Sequence, residues 1–376
     1  PMFCRSMAEP IRHLYFHIPF CPKLCPYCSF YVEVGSANKN QEFLDAILRE
    51  VETASRNYQI KPHTIYFGGG TPSALRTEQL DYLFSGLHQR LDLSELEEWD
   101  LEANPATIRG EKARRLRELG VTRLSLGVQS WDDEMLKTLG RVHSSSDAEA
   151  TFHLLRDAGF TNLNIDLMFA VPGQTEAQWQ ASLEKSIALQ SEHVSTYCLT
   201  YEEDTEYFRK LGVGEFSQDD ERDAQLFERT IATLESAGLQ HYEISNYARP
   251  GFESRHNLAY WRGANYLGFG PSAFSTVGLN RWQNIANTVE YNRRILAGES
   301  AGEFRETLTP RTRDGEIMAF GLRTASGVPQ SAIAPWREEL SPHFEHGLVI
   351  EDGNRVRLTP RGKLLADSVA EVFVDA

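Results

Sequence analysis

Short apolar runs of alternating character recur along the first 200 residues, each followed by a longer segment of helical period. Residues 14–18, 64–67, 99–103, 123–128, 163–169 and 194–199 are strand-like, rich in β-branched and aromatic side chains at period two. Between them, residues 41–55, 77–91, 109–119, 146–158 and 175–189 space their apolar positions as helices do. The punctuation agrees: Thr77 and Thr175 stand where N-caps belong, and Gly120 and Gly159 where helices end. Six strands alternating with helices predict an α/β fold with a parallel sheet and right-handed crossovers, either open or curled into a full or partial barrel. In each of these the chemistry sits at the C-terminal ends of the strands.

Beyond residue 199 the alternation stops. Residues 219–237 form an amphipathic pattern with Ala224, Phe227, Ile231 and Leu234 on one stripe. From about residue 307, two helical patterns, a hairpin signal around Gly353 and a final helix capped at Thr359-Pro360 predict a small winged-helix-like α+β domain. The expected division is a poorly ordered N-terminus over 1–12, a core over 13–215, an extension over 216–300 and a C-terminal domain over 301–376. The unpatterned first ten residues, which begin without Met, read as a processing remnant.

Composition narrows the function classes. The chain has 376 residues and a net charge of −15, which argues against a nucleic-acid partner, since phosphate backbones need surplus Lys and Arg. The winged-helix-like domain shares this bias, with nine Lys and Arg against twelve Asp and Glu over 301–376, so a lid or docking role is expected there. No apolar run is long enough to span a bilayer and no signal peptide is visible, so a cytoplasmic protein is expected.

The candidate chemistry is concentrated after the first strand. Cys21, Cys25 and Cys28, spaced C-x3-C-x2-C in a proline-rich loop, hold three of the five cysteines. Three close thiolates without a fourth suit an iron–sulfur cluster with one open iron. A zinc knuckle completed by His17, incidental thiols and a disulfide are the alternatives. Gly69, Gly70 and Thr71 follow the second strand, where consecutive glycines let backbone approach a ligand, although a tight turn would need the same residues. Glu102 ends the third strand and reads equally as a solvated turn residue; Asp166 lies mid-strand, where an unpaired carboxylate would be costly.

The cysteine spacing, the H-I-P-F-C lead-in and the flanking Tyr27 and Phe30 resemble the radical S-adenosylmethionine (SAM) superfamily. Within it, they resemble the branch of oxygen-independent coproporphyrinogen III oxidase and the HemW haem chaperones. The resemblance implies a partial (β/α)6 barrel of TIM type, a [4Fe-4S] cluster on Cys21, Cys25 and Cys28, and reductive cleavage of SAM to methionine and a deoxyadenosyl radical. It places SAM among Tyr15, Tyr27, Phe30, Gly69, Gly70, Thr71, Glu102, Gln129, Arg141 and Asp166, with Arg141 on the methionyl carboxylate. His256, in H-N-L-A-Y-W, becomes the haem candidate.

Two departures sharpen the expectation and one leaves a gap. The oxidase pattern has a further cysteine where Phe30 stands, and its N-terminal extension is longer than the twenty residues before Cys21; both point to the HemW type. Many relatives carry a histidine where Phe274 stands, which leaves a second haem ligand unassigned. The function implied is haem binding and delivery to acceptor haemoproteins, with coproporphyrinogen III oxidation, or a radical methyltransferase or cyclopropanase, as alternatives. Whether the chain is an enzyme stays open. The implied partners are haem, acceptor haemoproteins and a reductant such as a flavodoxin, with peripheral membrane contact and a monomer or homodimer also compatible.

Overall fold

The computed structural model describes residues 9–35 and 37–374, so Cys4 and the rest of residues 1–8 lie outside the described residues. Six strands run parallel in sequence order: β1 (Ile11–Ile18), β2 (Ile60–Gly69), β3 (Glu98–Ala103), β4 (Arg123–Gln129), β5 (Leu163–Phe169) and β6 (His193–Cys198). Ile11 and Arg12, expected in a poorly ordered end, already belong to β1. The crossover helices are α1 (Ala37–Asn57), α2 (Thr77–Arg90), α3 (Gly110–Glu118), α4 (Asp133–Thr138), α5 (Ser145–Asp157) and α6 (Glu176–Ala188). The short α4 was not anticipated. Thr175 caps α6 as expected, but α2 starts on Arg76, whose backbone N–H is taken by the Gln79 side chain, leaving Thr77 inside the first turn.

Alternation along these strands sorts two environments. Leu14, Phe16, Ile65, Phe67, Trp99, Leu101, Leu124, Leu126, Ile165 and Leu167 are buried in one core with the helices. The intervening positions are polar: Thr64 and Tyr66, Glu98, Asp100 and Glu102, Arg123 and Ser125, Asn164 and Asp166, His193 and Ser195. Barrel interiors of this kind are usually filled by branched apolar side chains. Here hydrogen bonds fill the lumen instead. Arg123 pairs with Asp100, both almost wholly buried, and His193 bridges Asn164 Oδ1 (2.6 Å) and Tyr242 Oη (2.8 Å).

The sheet then grows at both ends. β7 (Gln240–Glu243) and β8 (Asn246–Ala248) extend it antiparallel beyond β6, after α7 (Glu206–Gly212) and α8 (Asp220–Ser236). The expected stripe on α8 is shifted, with Leu226, Phe227, Thr230 and Leu234 buried. On the far side of β1, β9 (Tyr266–Phe269) adds a seventh parallel strand, followed by antiparallel β10 (Phe274–Val277), β11 (Asn280–Asn284) and β12 (Gly302–Thr307). The twelve strands run β12-β11-β10-β9-β1-β2-β3-β4-β5-β6-β8-β7, a curled sheet left open between its two edges. Two helices flank these additions, α9 (Arg255–Trp261) and α10 (Thr288–Leu296).

The C-terminal module has its own core, built on Met318, Leu322, Ile333, Trp336, Leu340, Val356 and Phe373. It opens with α11 (Pro310–Leu322) and holds a three-stranded antiparallel sheet of β13 (Val328–Pro329), β15 (Arg355–Leu358) and β14 (Val349–Asp352). A division at residue 301 would cut off β12, which pairs with β11 in the main sheet. The second of the two helical patterns expected after residue 307 is a 3-10 turn over Gln330–Trp336 followed by α12 (Ser341–Glu345). The last helix is broken at Leu365 into α13 (Pro360–Leu364), capped by Thr359, and α14 (Ala366–Val374). Among the described residues no helix is long and apolar enough to cross a membrane.

Candidate functional site

β1 delivers the cysteine loop. A two-residue ladder, Phe20–Cys21 against Glu33–Val34, closes the loop's base, and Cys28 N–H donates to Cys25 O at 3.2 Å. The glycine turn after β2 holds it from the side, with Gly70 N–H donating to Ile18 O and Thr71 N–H to Phe20 O, both at 2.9 Å. A Cβ on Gly70 would lie 2.8 Å from Ile18 O, and Gly69, at φ +101°, would drive one 2.4 Å from the His17 ring. Both positions therefore require glycine.

The three cysteines line one cavity of about 500 Å³ at the C-terminal ends of the strands. Cys21 Sγ lies 3.4 Å from Thr71 Oγ1. Arg141 donates through Nη2 to Gly127 O (2.9 Å) and through Nη1 to Cys25 Sγ (3.6 Å). Burial pushes the Cys21 and Cys28 thiols up, and the Arg141 guanidinium pulls them back toward the thiolate. His17 cannot complete a zinc knuckle: Nε2–H donates to Tyr31 O (2.8 Å), which leaves Nδ1 to accept from Tyr15 Oη (3.1 Å). Among the described residues no three His, Cys, Asp or Glu side chains converge closely enough for a single ion. Three thiols lining one cavity beside a guanidinium fit an iron–sulfur cluster.

The cavity gathers the other residues anticipated from sequence: Tyr27, Phe30, Gly69, Gly70, Thr71, Glu102, Gln129, Arg141 and Asp166 line it. Glu102 is no solvated turn residue. It is half-buried, accepts from Tyr66 Oη at 2.7 Å, and the desolvation of its carboxyl pushes it up to about 8. Burial likewise raises Asp166, which accepts from Ser125 Oγ (2.9 Å) and Asn164 Nδ2 (2.6 Å). Gln129 sits at φ +70° at the bulge ending β4, a backbone that a non-glycine residue adopts only under local constraint. Two carboxyls on one wall with a guanidinium near the thiols suit a small ligand carrying both an anionic and a cationic group. Sequence reading missed Tyr66, Tyr197 and Cys198. The first two were signalled by strand alternation; the Cys198 thiol is pushed up to about 12 by burial and then by Asp223, so it is a poor ligand at neutral pH.

Tyr15 is the exception. It lines a second cavity, of about 740 Å³, that meets the first at Ser29, Phe30, Tyr66 and Tyr197. This cavity is aromatic, walled by Tyr15, Tyr31, Tyr260, Trp261, Tyr266 and Phe274 together with His13 and His256. His256 opens α9, where Ser254 caps Asn257 N–H and Glu98 accepts the backbone N–H of Arg255 and of His256, both at 3.0 Å. Its Nδ1 lies 2.8 Å from Thr64 Oγ1, its ring packs 5.2 Å from that of Tyr66, and its Nε2 has no hydrogen-bond partner among the described residues. Burial, and then His13, lower its pKa to about 3, so the ring is neutral. A neutral, oriented imidazole with one nitrogen free can ligate iron.

Comparison with known proteins bears on both cavities. The family model of the radical SAM superfamily matches residues 15–185. "Heme chaperone HemW" of Bacillus subtilis is 35% identical, over 97% of this chain and 99% of that protein. The protein of that name from Escherichia coli is 32% identical, over 97% and 98%. The solved structure of coproporphyrinogen III oxidase from Escherichia coli, described as a radical SAM enzyme, superposes with a TM-score of 0.85 at 25% identity, covering 98% of this chain and 91% of that one.

Proposed function

Because the chain belongs to the radical SAM superfamily, in the branch of coproporphyrinogen III oxidase and HemW, we propose that it is a HemW-type haem chaperone. On this reading it binds haem and passes it to acceptor haemoproteins in the cytoplasm. Cys21, Cys25 and Cys28 would hold the [4Fe-4S] cluster, and Thr71, Glu102, Arg141 and Asp166 would orient SAM. Cluster and SAM, when bound, supply reductive cleavage of the sulfonium. The protein's part is positional: Gly69 and Gly70 bring backbone against the ligand, Arg141 faces the thiols, and Phe30 and Tyr197 screen the cleft from the second cavity.

The observation that carries the haem reading is the aromatic cavity lined by the neutral His256, whose Nε2 has no partner among the described residues. Tetrapyrroles are flat and apolar on both faces, and aromatic walls suit them. The oxidase alternative draws on the fold match, but Phe30 stands where that pattern has its further cysteine.

The test is anaerobic reconstitution with iron and sulfide, then titration with haem and, separately, incubation with coproporphyrinogen III, SAM and a reductant. Expected are about four irons per chain, lost in Cys25→Ala, stoichiometric haem binding whose spectrum changes in His256→Ala, and no decarboxylated product. Turnover of coproporphyrinogen III would make the protein an oxidase instead.

A further inference from the structure

A third cavity, of about 240 Å³, abuts the aromatic one, with Tyr260, Ala264, Tyr266 and Phe274 common to both. Among the described residues, Arg281 and Arg313 are the only charged side chains lining it. Arg281 comes from β11 and the buried Arg313 from α11 of the C-terminal module. Glu316, which does not line the cavity, holds both: its two oxygens accept from Arg281 Nη2 at 2.6 and 2.7 Å, and Oε2 accepts from Arg313 Nη1 at 3.3 Å. Arg313 Nη2 is fixed further by Gly263 O. Glu306 adds only a 3.7 Å contact to Arg281 from an exposed position.

The half-buried Glu316 is shared by the two guanidiniums, and among the described residues N–H donors of each fork are not taken up by protein acceptors, so the wall that faces the pocket is cationic. This lies in a chain of net charge −15, which would otherwise repel anions. In the aromatic cavity itself the carboxylate lining the wall is Glu243, so an anionic group would be disfavoured there.

We propose that the Arg281–Arg313 pocket is the anion subsite of the aromatic cavity, taking the carboxylate side chains of a tetrapyrrole whose ring lies against Tyr260 and Tyr266. The inference rests on the haem reading and adds the direction in which the ligand enters and the feature it must carry. A ring without carboxylates fills the aromatic cavity and leaves both guanidiniums unsatisfied. A fork of charge-assisted hydrogen bonds then discriminates by about one to two decades in affinity.

The experiment compares haem with its dimethyl ester, in which both carboxylates are masked, on the iron-loaded full-length protein, following absorbance titrations for the unaltered chain, Arg281→Gln and Arg313→Gln. The expected result is at least a ten-fold preference for the free acid in the unaltered protein. In the variants that preference should fall toward unity through weaker binding of the acid, while ester affinity stays unchanged. Equal affinity for the two ligands in the unaltered protein, or an undiminished preference in the variants, overturns the subsite and leaves the haem reading standing. Absence of haem binding altogether overturns that reading and the subsite with it. Arg281→Gln, at the more exposed position, keeps the test decisive where Arg313→Gln fails to fold, and the ester comparison needs no variant.

Discussion

Thr64 couples two histidines that line the aromatic cavity. Its hydroxyl lies 2.8 Å from His256 Nδ1 and 2.9 Å from His13 Nδ1, and a hydroxyl can donate only one hydrogen. At least one ring must therefore donate to it. When His256 is the donor, its Nε2 keeps a lone pair toward the aromatic cavity, as an iron ligand requires. Thr64→Val removes the acceptor for Nδ1–H. The expected outcome is roughly ten-fold weaker haem binding with an altered absorbance spectrum, restored by Thr64→Ser; an unchanged spectrum in the valine variant would refute the coupling. Glu102 offers a second test at this scale. With its pKa raised to about 8 by burial it is mostly protonated at pH 7, and a cationic ligand beside it favours the carboxylate. SAM binding should then release up to one proton at pH 7 and almost none at pH 9.5. Calorimetry in buffers of different ionisation heat measures this, and Glu102→Gln should abolish the release.

Single elements show why a polar lumen is hard to read from sequence. The alternation in β3, Glu98-Trp99-Asp100-Leu101-Glu102, announces a strand plainly, but a polar set at period two usually marks a solvent face. Here both faces are buried, one in the helical core and one in the lumen, where Asp100 finds Arg123 across the neighbouring strand. No local pattern distinguishes the two cases, because the partner lies on another strand and the curl of the sheet makes the lumen. Asp100→Leu alone leaves the Arg123 guanidinium buried and should cost about 3–5 kcal/mol. Asp100→Leu with Arg123→Met should recover most of that, as read from urea midpoints.

α1 carries a similar group on its other flank. Glu50 accepts from Gly270 N–H (2.9 Å), Asn284 Nδ2 (2.7 Å) and Tyr291 Oη (2.6 Å), tying α1 to the turn after β9, to β11 and to α10. Burial pushes its carboxyl up to about 7, and among the described residues no charged side chain offsets this. The native state therefore holds a proton that the unfolded chain releases above its ordinary pKa of 4.5. Stability from this site is full below pH 4.5, falls as pH rises to 7, and is level above, a change of about 3 kcal/mol. Glu50→Gln should flatten the pH dependence of the urea midpoint across that window.

At the scale of the whole molecule, the six-strand core was legible because its signals are local: periodicity, caps and cysteine spacing. The ends of the sheet were not. β9 has four residues and joins by pairing with β1, distant in the chain, β12 follows on β11 across the intervening α10, and the aromatic motif around His256 takes its meaning from β2 and from α11. The C-terminal module reads as a separate unit by its core, yet Phe320 packs on Tyr260 (5.3 Å) and Trp261 (6.0 Å) of the large unit. Phe320→Ala should accordingly weaken haem binding about five- to ten-fold, as the loss of such aromatic contacts implies, with iron content per chain unchanged; iron lost in parallel would point to general unfolding instead.

Phe30 stands 69% exposed where the cysteine cleft and the aromatic cavity meet, and with Tyr66 and Tyr197 it forms their common partition. Two chambers divided by the same side chains belong to one thermodynamic cycle. Whatever factor an occupant of the cleft imposes on affinity in the aromatic chamber, the occupant of that chamber returns to the cleft unchanged.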